Sequence, residues 1–221
     1  MSESPITISA NQLTVRYRYQ DAPIFAGLDW HVMAGETVAI MGVSGCGKST
    51  LLCHLAGLRP PEAGTVQVLG QTWGRLPPRA QDKLRGEHIG FVFQRAHLLP
   101  YLSVRDNIAL ALMYAPQALK NIDELLAQLN ITPLAQRKAQ DLSVGEAQRV
   151  AVARALIKNP SVVFADEPTG ALDGESVLAV SALLCTDTAH PSRTTVITTH
   201  DSRVADRCQR VLHLRQGRLY E

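Results

Sequence analysis

The sequence predicts an α/β fold in which helices cover a mostly parallel β-sheet. Short runs of apolar and β-branched residues recur along the chain, and most are followed by a segment with helical periodicity. Thr37–Met41 and Ser161–Ala165 are almost continuously apolar, which is typical of strands buried on both faces. With 221 residues, of which 46% are hydrophobic and 19% charged, the chain is long enough to enclose a large core.

The N-terminal half contains predicted strands on both sides of a glycine-rich loop. Apolar residues alternate with polar ones in two segments before the loop, and a helical pattern follows it. Thr72–Pro78 is rich in Trp, Gly and Pro and is predicted to be a loop. The predicted elements of this half are the strands Leu13–Tyr19, Ile24–Val32 and Thr37–Met41, the helix Lys48–Leu58, and the strands Thr65–Leu69 and Ile89–Phe93.

From about Val104 to Ile157 the pattern is helical, and we interpret this stretch as a helical insertion. Pro116 and Pro133 separate its helices. Beyond it, strands alternate with helices again, as expected for a parallel sheet. The helices predicted in the insertion are Asp106–Met113, Ile122–Leu129 and Gly145–Ile157. The later elements are the strands Ser161–Ala165, Thr194–Thr198 and Arg210–Leu214 and the helices Ser176–Leu184 and Ser202–Arg207.

Charge and composition disfavour several classes of protein. The 22 basic and 20 acidic residues give a formal net charge of +2, a weak positive field for a general nucleic-acid binder. No apolar run approaches the roughly 18 residues of a transmembrane helix, and the polar N-terminus lacks the layout of a secretory signal. The cysteines at positions 46, 53, 185 and 208 form no C-x-x-C pair, which favours reduced thiols in the cytoplasm.

The glycine-rich loop matches a phosphate-binding pattern. Residues 42–49 fit G-x-x-x-x-G-K-[ST] between a predicted strand and a predicted helix. Glycines allow backbone N–H groups to surround a phosphate, and the positive end of the helix strengthens its binding. In this pattern Lys48 meets the β- and γ-phosphates and the Ser49 hydroxyl ligates Mg²⁺. The predicted nucleotide contacts are Gly42, Val43, Ser44, Gly45, Cys46, Gly47, Lys48, Ser49 and Thr50.

Two carboxylates end the apolar strand that follows the helical insertion. Asp166 and Glu167 come directly after Val162–Ala165, and parallel strands carry their C-terminal ends to the ligand crevice. Asp166 is therefore predicted to hold Mg²⁺, directly or through water. Glu167 is predicted to orient or polarise the water that attacks the nucleotide.

A third motif opens the last helix of the insertion, where residues 142–149 read Leu-Ser-Val-Gly-Glu-Ala-Gln-Arg. The Ser143 hydroxyl and the N–H groups around Gly145 suit a second phosphate, although an N-capped helix without a ligand has the same pattern. With this motif the sequence resembles the nucleotide-binding domain of ATP-binding-cassette (ABC) proteins, whose hallmark is a Leu-Ser-Gly-Gly-Gln-like stretch. Val144 stands in place of its first Gly and Glu146 in place of its Gln, while Ser143 and Gly145 are retained.

The resemblance implies roles for further residues. Gln94 resembles the Q-loop glutamine, which reaches Mg²⁺ and the catalytic water, and His200 resembles the switch histidine that contacts the γ-phosphate. Asp173 resembles the D-loop aspartate at a dimer interface. Tyr17 resembles the aromatic residue that stacks on adenine, with Tyr19 as an alternative. The implied catalytic residues are thus Glu167, His200 and Gln94, the implied Mg²⁺ ligands are Ser49, Gln94 and Asp166, and the further ATP contacts are Tyr17, Ser143, Gly145 and Asp173.

The resemblance extends from about Ile8 to Tyr220 and implies a P-loop NTPase (RecA-like) fold with a mostly parallel sheet. It implies one ABC ATPase domain over residues 1–221. The core and an N-terminal antiparallel β subdomain are expected at about 1–94 and 159–221, and an inserted α-helical subdomain at about 95–158.

The resemblance also implies an assembly. Two copies are expected to pack head to tail around two Mg-ATP, each held between Lys48 of one copy and Ser143 of the other, and to drive separate integral membrane permease subunits. The chain would touch the membrane only through that permease, on the cytoplasmic face of the bacterial inner membrane. The narrower resemblance rests on Ile89–Gln94, Leu98–Pro100, Val104, Asn107 and Ala165–Asp173. These look most like the lipoprotein-releasing, macrolide-exporter and cell-division group, which implies export or release of a lipophilic or lipoprotein-like substrate.

Two alternative functions are compatible with some of these motifs. One is a non-transport ABC ATPase that signals mechanically through a membrane partner, as in the cell-division type. The other is a P-loop kinase or GTPase, which is disfavoured because the chain has no Asn-Lys-x-Asp guanine motif.

Overall fold

The computed structural model describes residues 5–17, 22–115, 121–185 and 191–221. The strands in these ranges are β1 (Ile6–Val15), β2 (Phe25–Met33), β3 (Thr37–Met41), β4 (Ala63–Val68), β5 (Gln71–Thr72), β6 (Ile89–Val92), β7 (Val162–Asp166), β8 (Thr194–Thr198), β9 (Arg210–Arg215) and β10 (Arg218–Tyr220). The α-helices are α1 (Lys48–Leu55), α2 (Pro78–His88), α3 (Val104–Ala109), α4 (Ile122–Gln128), α5 (Val144–Leu156), α6 (Gly174–Cys185) and α7 (Ser202–Ala205). Short 3₁₀ turns lie at Trp73–Arg75, Leu110–Tyr114, Thr132–Leu134 and Ala139–Asp141.

The larger sheet confirms the predicted α/β class. Its strand order is β10-β9-β3-β8-β7-β6, and all neighbours are parallel except β10 and β9. The strand that precedes the glycine-rich loop, β3, is central, with β9 and β8 on either side. In the register of the β7–β8 pair, Asp166 lies opposite Thr198, so the two strands end together.

A second sheet is antiparallel, as the family resemblance implied. Its order is β2-β1-β4-β5, and β1 pairs with both β2 and β4. Inward side chains of this sheet pack with α1 and one face of the parallel sheet to form a hydrophobic core cluster. Large members of this cluster are Ile8, Leu13, Phe25, Ile40, Leu51 and Phe164.

Strand β7 shows why the central strands are continuously apolar. Val162 and Phe164 belong to the cluster shared with the antiparallel sheet, whereas Val163 and Ala165 belong to a second cluster beneath the helices. Alternate side chains of a strand point to opposite faces, so a strand covered on both sides needs apolar residues at every position. This second cluster also contains residues of α3, α4 and α5, including Ile108, Leu125 and Val152.

The division into subdomains at residues 94/95 and 158/159 stays a prediction. In the part of the chain that the structure describes, no helix is both long enough and apolar enough to span a membrane.

Several predicted boundaries are wrong. β1 begins at Ile6 and ends at Val15, whereas the sequence suggested a strand over Leu13–Tyr19. The helix predicted to reach Leu58 ends at Leu55, because Gly57 adopts a φ of 65° and reverses the chain. The Gly57 and Leu58 N–H groups donate to the carbonyls of His54 and Cys53, which is the bonding pattern of a Schellman cap.

The sequence reading also missed elements around residue 80 and at the C-terminal end. α2 has no buried residues and therefore no apolar stripe to reveal it. Contacts distant in sequence stabilise its last turn: Arg85 donates to the Gly57 carbonyl, and Lys158 donates to the carbonyls of Arg85 and Gly86. The start of the predicted loop Thr72–Pro78 contains part of β5 and a 3₁₀ turn, and β10 had not been anticipated.

Candidate nucleotide site

The glycine-rich loop has the strand–loop–helix setting that its motif requires. It joins the end of β3 at Met41 to the start of α1 at Lys48. Gly47 precedes α1 with a φ of 108°, which side chains disfavour. A Cβ at Gly47 would lie 2.8 Å from Cγ2 of Ile24 and 3.1 Å from Cζ of Phe25. Glycine at this position therefore satisfies both the backbone conformation and the packing of the loop against the core.

Lys48 lies across this loop and is almost buried. Its Nζ donates to the carbonyl oxygens of Gly42 at 2.8 Å and Val43 at 3.3 Å. The same Nζ lies 3.6 Å from Oε1 of Glu167. The ammonium group is thus held between the loop and the acidic end of β7.

The carboxylate of Asp166 is buried at the end of β7. Its Oδ1 accepts a hydrogen bond of 2.6 Å from the hydroxyl of Thr198 on the neighbouring strand β8. The hydroxyl of Ser49, the amide of Gln94 and the carboxylate of Asp166 supply the hard oxygen donors that Mg²⁺ prefers. Within the described ranges, no group of three or more His, Cys, Asp and Glu side chains is arranged to hold a metal. The three oxygen donors of Ser49, Gln94 and Asp166 fit an ion whose remaining ligands are phosphate oxygens and water.

The backbone turns sharply at Glu167. Its φ of 46° lies in the left-handed region, which costs a non-glycine residue roughly 1 kcal/mol or more. Hydrogen bonds from its N–H to the carbonyl (3.0 Å) and hydroxyl (3.2 Å) oxygens of Thr198 stabilise this turn. The Glu167 side chain consequently leaves the sheet and faces the glycine-rich loop.

His200 lies beside Glu167, just beyond the end of β8. It follows β8 by two residues, and its Nδ1 donates a hydrogen bond of 2.8 Å to Oε2 of Glu167. The imidazole side chain is 71% exposed, whereas that of Glu167 is only 12% exposed. The Glu167 carboxylate is therefore held between Lys48 on one side and His200 on the other.

These elements enclose a cavity of about 790 Å³. Most of the predicted site residues line it: Tyr17, Gly42, Ser44, Gly45, Gly47, Lys48, Ser49, Thr50, Gln94, Glu167 and His200. The hydroxyl of Tyr17 is hydrogen-bonded at 2.6 Å to that of Thr50, which ties the chain after β1 to α1. Tyr19, the alternative aromatic residue, lies outside the described residues.

The other predicted site residues do not line this cavity. They are Val43, Cys46, Asp166, Ser143, Gly145 and Asp173. Cys46 lines an adjoining groove with Ala22, Pro23, Gln216 and Gly217, and this groove shares Ile24 and Gly45 with the cavity.

Ser143 and Glu146 form a reciprocal cap at the start of α5. The Ser143 N–H donates to Oε2 of Glu146 at 2.7 Å, and the Glu146 N–H donates to the Ser143 hydroxyl at 3.3 Å. The hydrogen bond from the Ser143 backbone lowers the pKa of the Glu146 carboxyl. This capping box explains why Glu146 can stand where the family motif usually has Gln, because the side chain of either residue can accept the hydrogen bond from the Ser143 N–H.

The turn before α6 packs directly on this cap. A Cβ at Gly145 would lie 3.0 Å from the Ala171 carbonyl oxygen, so the small residue allows close backbone approach. Asp173 accepts a hydrogen bond of 2.9 Å from the Ser176 N–H, which lowers the pKa of Asp173. Arg149 of α5 donates at 2.5 Å to the Ser176 hydroxyl. The start of α5 and the start of α6 are thus linked within one chain.

Four residues that line the cavity were not among the predicted site residues: Ile24, Gln148, Gly170 and Ala171. Gly170 and Ala171 lie next to recognised motifs, and Gln148 lies inside one, so proximity to the motifs was the available signal. Ile24 offered no signal, because only folding brings β2 beside the glycine-rich loop.

The fold and this cavity define a nucleotide-binding cassette, and sequence comparison agrees. The sequence profile described as ABC transporter matches residues 25–170, and the chain belongs to this family. The family catalyses ATP hydrolysis, so the chain is an ATP-binding and ATP-hydrolysing subunit of the ABC class.

Two named relatives show which ATPases of this family the chain is similar to. The lipoprotein-releasing system ATP-binding protein LolD of Chromohalobacter salexigens is 39% identical over 226 residues, which cover 100% of this chain and 95% of that protein. The macrolide export ATP-binding/permease protein MacB of Shigella flexneri is 42% identical over 207 residues, covering 90% of this chain and 31% of that longer protein. The chain is therefore similar to the lipoprotein-releasing and macrolide-export ATPases.

Solved structures agree with the fold. A dimeric ATP-binding cassette in a post-hydrolysis state, bound to ADP and Pi, has a TM-score of 0.88 and 31% identity, with 97% of each chain covered. A bacterial Atm1-family ABC exporter with ATP bound has a TM-score of 0.84 and 28% identity, covering 100% of this chain and 39% of the exporter chain.

Proposed function

We propose that two copies of this chain close around two Mg-ATP and drive a separate membrane permease that exports or releases a lipophilic or lipoprotein-like substrate. The observation that carries the dimer is the separation of the two predicted phosphate-binding elements. Lys48 lines the cavity, whereas the capped, exposed start of α5 at Ser143 does not. A second copy related by two-fold symmetry supplies the missing element to each cavity. The dimeric cassette with 31% identity supports this arrangement.

The residues around the cavity divide the chemistry between them. The loop N–H groups and Lys48 bind the phosphates, and Glu167 takes a proton from the attacking water as general base. His200 holds the Glu167 carboxylate in place through the 2.8 Å hydrogen bond. Ser49, Gln94 and Asp166 hold Mg²⁺, which neutralises charge on the phosphate oxygens when bound.

The proposed contact with the permease uses the segment after Gln94 and the helical insertion. Leu99 and Tyr101 lie in this segment with 49% and 77% of their surface exposed, and Met113 and Tyr114 are exposed in the insertion. Exposed apolar side chains of this size are typical of surfaces that bind another protein. The chain then works on the cytoplasmic face of the bacterial inner membrane, attached through the permease. Similarity to LolD and MacB supports the choice of substrate class.

Light scattering of the Glu167→Gln variant tests the dimer. This variant binds ATP without hydrolysing it, so we expect the dimer mass with Mg-ATP and the monomer mass with Mg-ADP. A Ser143→Arg change in the same background serves as control, because it blocks the second phosphate site and leaves Lys48 intact. A monomer mass at every ATP concentration would contradict the dimer. Identification of the membrane protein that co-purifies with the chain tests the permease.

A further inference from the structure

The segment around Gln94 is hydrogen-bonded to helix α5. Nε2 of Gln148 donates at 3.0 Å to the carbonyl oxygen of Phe93, the residue immediately before Gln94. Gln148 is only 3% exposed and lines the nucleotide cavity. Buried polar groups in proteins are almost always hydrogen-bonded, and the Gln148 amide meets this need through the Phe93 carbonyl. Because Gln148 belongs to α5, the position of that carbonyl depends on α5.

Arg154 makes a second attachment on the other side of Gln94. Its Nη2 donates to the Ala96 carbonyl at 2.7 Å and its Nη1 to the His97 carbonyl at 2.8 Å. The planar guanidinium group thus holds two successive carbonyls at once, each through a separate nitrogen. The ring of His97 also packs edge-on against Phe93, with centroids 5.3 Å apart.

These contacts join Gln94 to the capped end of α5. The carbonyls that α5 holds flank Gln94 on both sides, and the helix continues without interruption back to the Ser143 cap. An α-helix is stiff over this length, so a displacement at Ser143 moves Gln148 and Arg154 with it. The backbone of Gln94 follows through three hydrogen bonds.

We infer that Gln148 and Arg154 are positioning residues for Gln94, and that they transmit engagement of Ser143 to the Mg²⁺ and water side of the cavity. This inference rests on the proposed function, in which Ser143 contacts the nucleotide of a second copy. Neither residue is a catalytic residue, because each acts through the backbone around Gln94. Their loss therefore lowers kcat and leaves KM for ATP nearly unchanged.

Steady-state ATPase measurements on the full chain test this inference in two backgrounds. Gln148→Met and Arg154→Met remove the donors while keeping similar side-chain volume, and we expect each to lower kcat about tenfold in the wild-type background. In a Gln94→Ala background the same changes should lower kcat less than twofold, because the group they position is gone. Arg154→Lys retains one donor and the charge and should restore at least half of the lost activity.

Two results would overturn the inference. One is an equal loss of kcat in both backgrounds, which indicates a general structural role. The other is unchanged kcat in Gln148→Met and Arg154→Met. Thermal unfolding of each variant identifies a folding defect. If Arg154→Met is unstable, the kcat of Arg154→Lys, which preserves the charge, decides between a positioning role and a structural role. Failure of the proposed function is distinguishable, because the Glu167→Gln variant would then keep the monomer mass in light scattering at every ATP concentration.

Discussion

His200 and Glu167 are joined by a hydrogen bond of 2.8 Å between Nδ1 of the imidazole and Oε2 of the carboxylate. The two residues closely follow the ends of neighbouring parallel strands, and the left-handed turn at Glu167 directs its carboxylate towards the imidazole. The second carboxylate oxygen lies 3.6 Å from Nζ of Lys48. The carboxylate proposed as the general base is therefore held in a fixed orientation towards the cavity.

We predict that Glu167→Gln lowers kcat for ATP hydrolysis by about 10²- to 10⁴-fold, because an amide cannot accept the proton of water. His200→Ala should lower kcat less, since the base remains and only its orientation is lost. Enzyme-coupled phosphate release measures both. His31→Ala is the matched control, because His31 is exposed on β2 and should keep wild-type activity. A larger defect in His200→Ala than in Glu167→Gln would contradict the assigned roles.

Gly47→Ala should weaken ATP binding and destabilise the fold by roughly 1–3 kcal/mol. The added Cβ meets Ile24 and Phe25 at 2.8 and 3.1 Å while the backbone has a φ of 108°. Urea unfolding and titration with a fluorescent ATP analogue measure the two effects. Gly74→Ala is the control, since a Cβ there meets nothing within 4 Å and no positive φ is required. Equal unfolding free energies for the two variants would show that the loop tolerates a side chain.

The cap of α5 should tolerate Glu146→Gln better than Ser143→Ala. Gln still closes a capping box, whereas loss of the Ser143 hydroxyl costs about 1 kcal/mol of unfolding free energy. The pKa of Glu146 is lowered in the folded chain, so its ionised form stabilises the fold above the unfolded pKa. That contribution disappears as the pH falls through the folded pKa. Wild type and Glu146→Gln should therefore converge in stability at low pH, as denaturant titrations across pH can measure; a constant difference would contradict this.

The cysteines should react with iodoacetamide in a defined order. Cys185 and Cys208 have their sulfur atoms 3.8 Å apart, and the hydrogen bond from Cys208 lowers the pKa of Cys185. The same contact raises the pKa of Cys208, and burial raises that of Cys53. Because the thiolate is the nucleophile, Cys185 should be alkylated at lower pH than Cys53 or Cys208.

Peptide mass spectrometry after timed alkylation reads this order directly. Cys208→Ala removes the donor and should slow alkylation of Cys185 at neutral pH, whereas Cys208→Ser keeps a donor and should slow it less. Unchanged alkylation of Cys185 in Cys208→Ala would refute the role of the thiol pair.

Local sequence patterns predicted most of the central sheet. β3 lies where expected, because a strand buried on both faces reads as a nearly continuous apolar run. β8 also lies where expected, and all five of its residues are β-branched, which favours strands. α2 was missed for the opposite reason: its stability comes from Arg85, Gly57 and Lys158, which lie far apart in the chain. Periodicity reports how one segment meets a core, and it carries no information about a helix that polar contacts hold to the surface.

The sequence by itself determined the class of this protein, because the phosphate-loop pattern, the acidic strand end and the Ser143 motif each require particular residues at fixed local spacing. It also placed Asp166 at the ligand crevice, since parallel strands carry their C-terminal ends there, whereas the role of His200 came from the family resemblance. Only the tertiary structure decided that Cys46 lines a groove beside the cavity and that Gln148, 55 residues beyond Phe93, holds its carbonyl. The physical reason is that these relationships depend on where distant segments pack, and local spacing does not encode that.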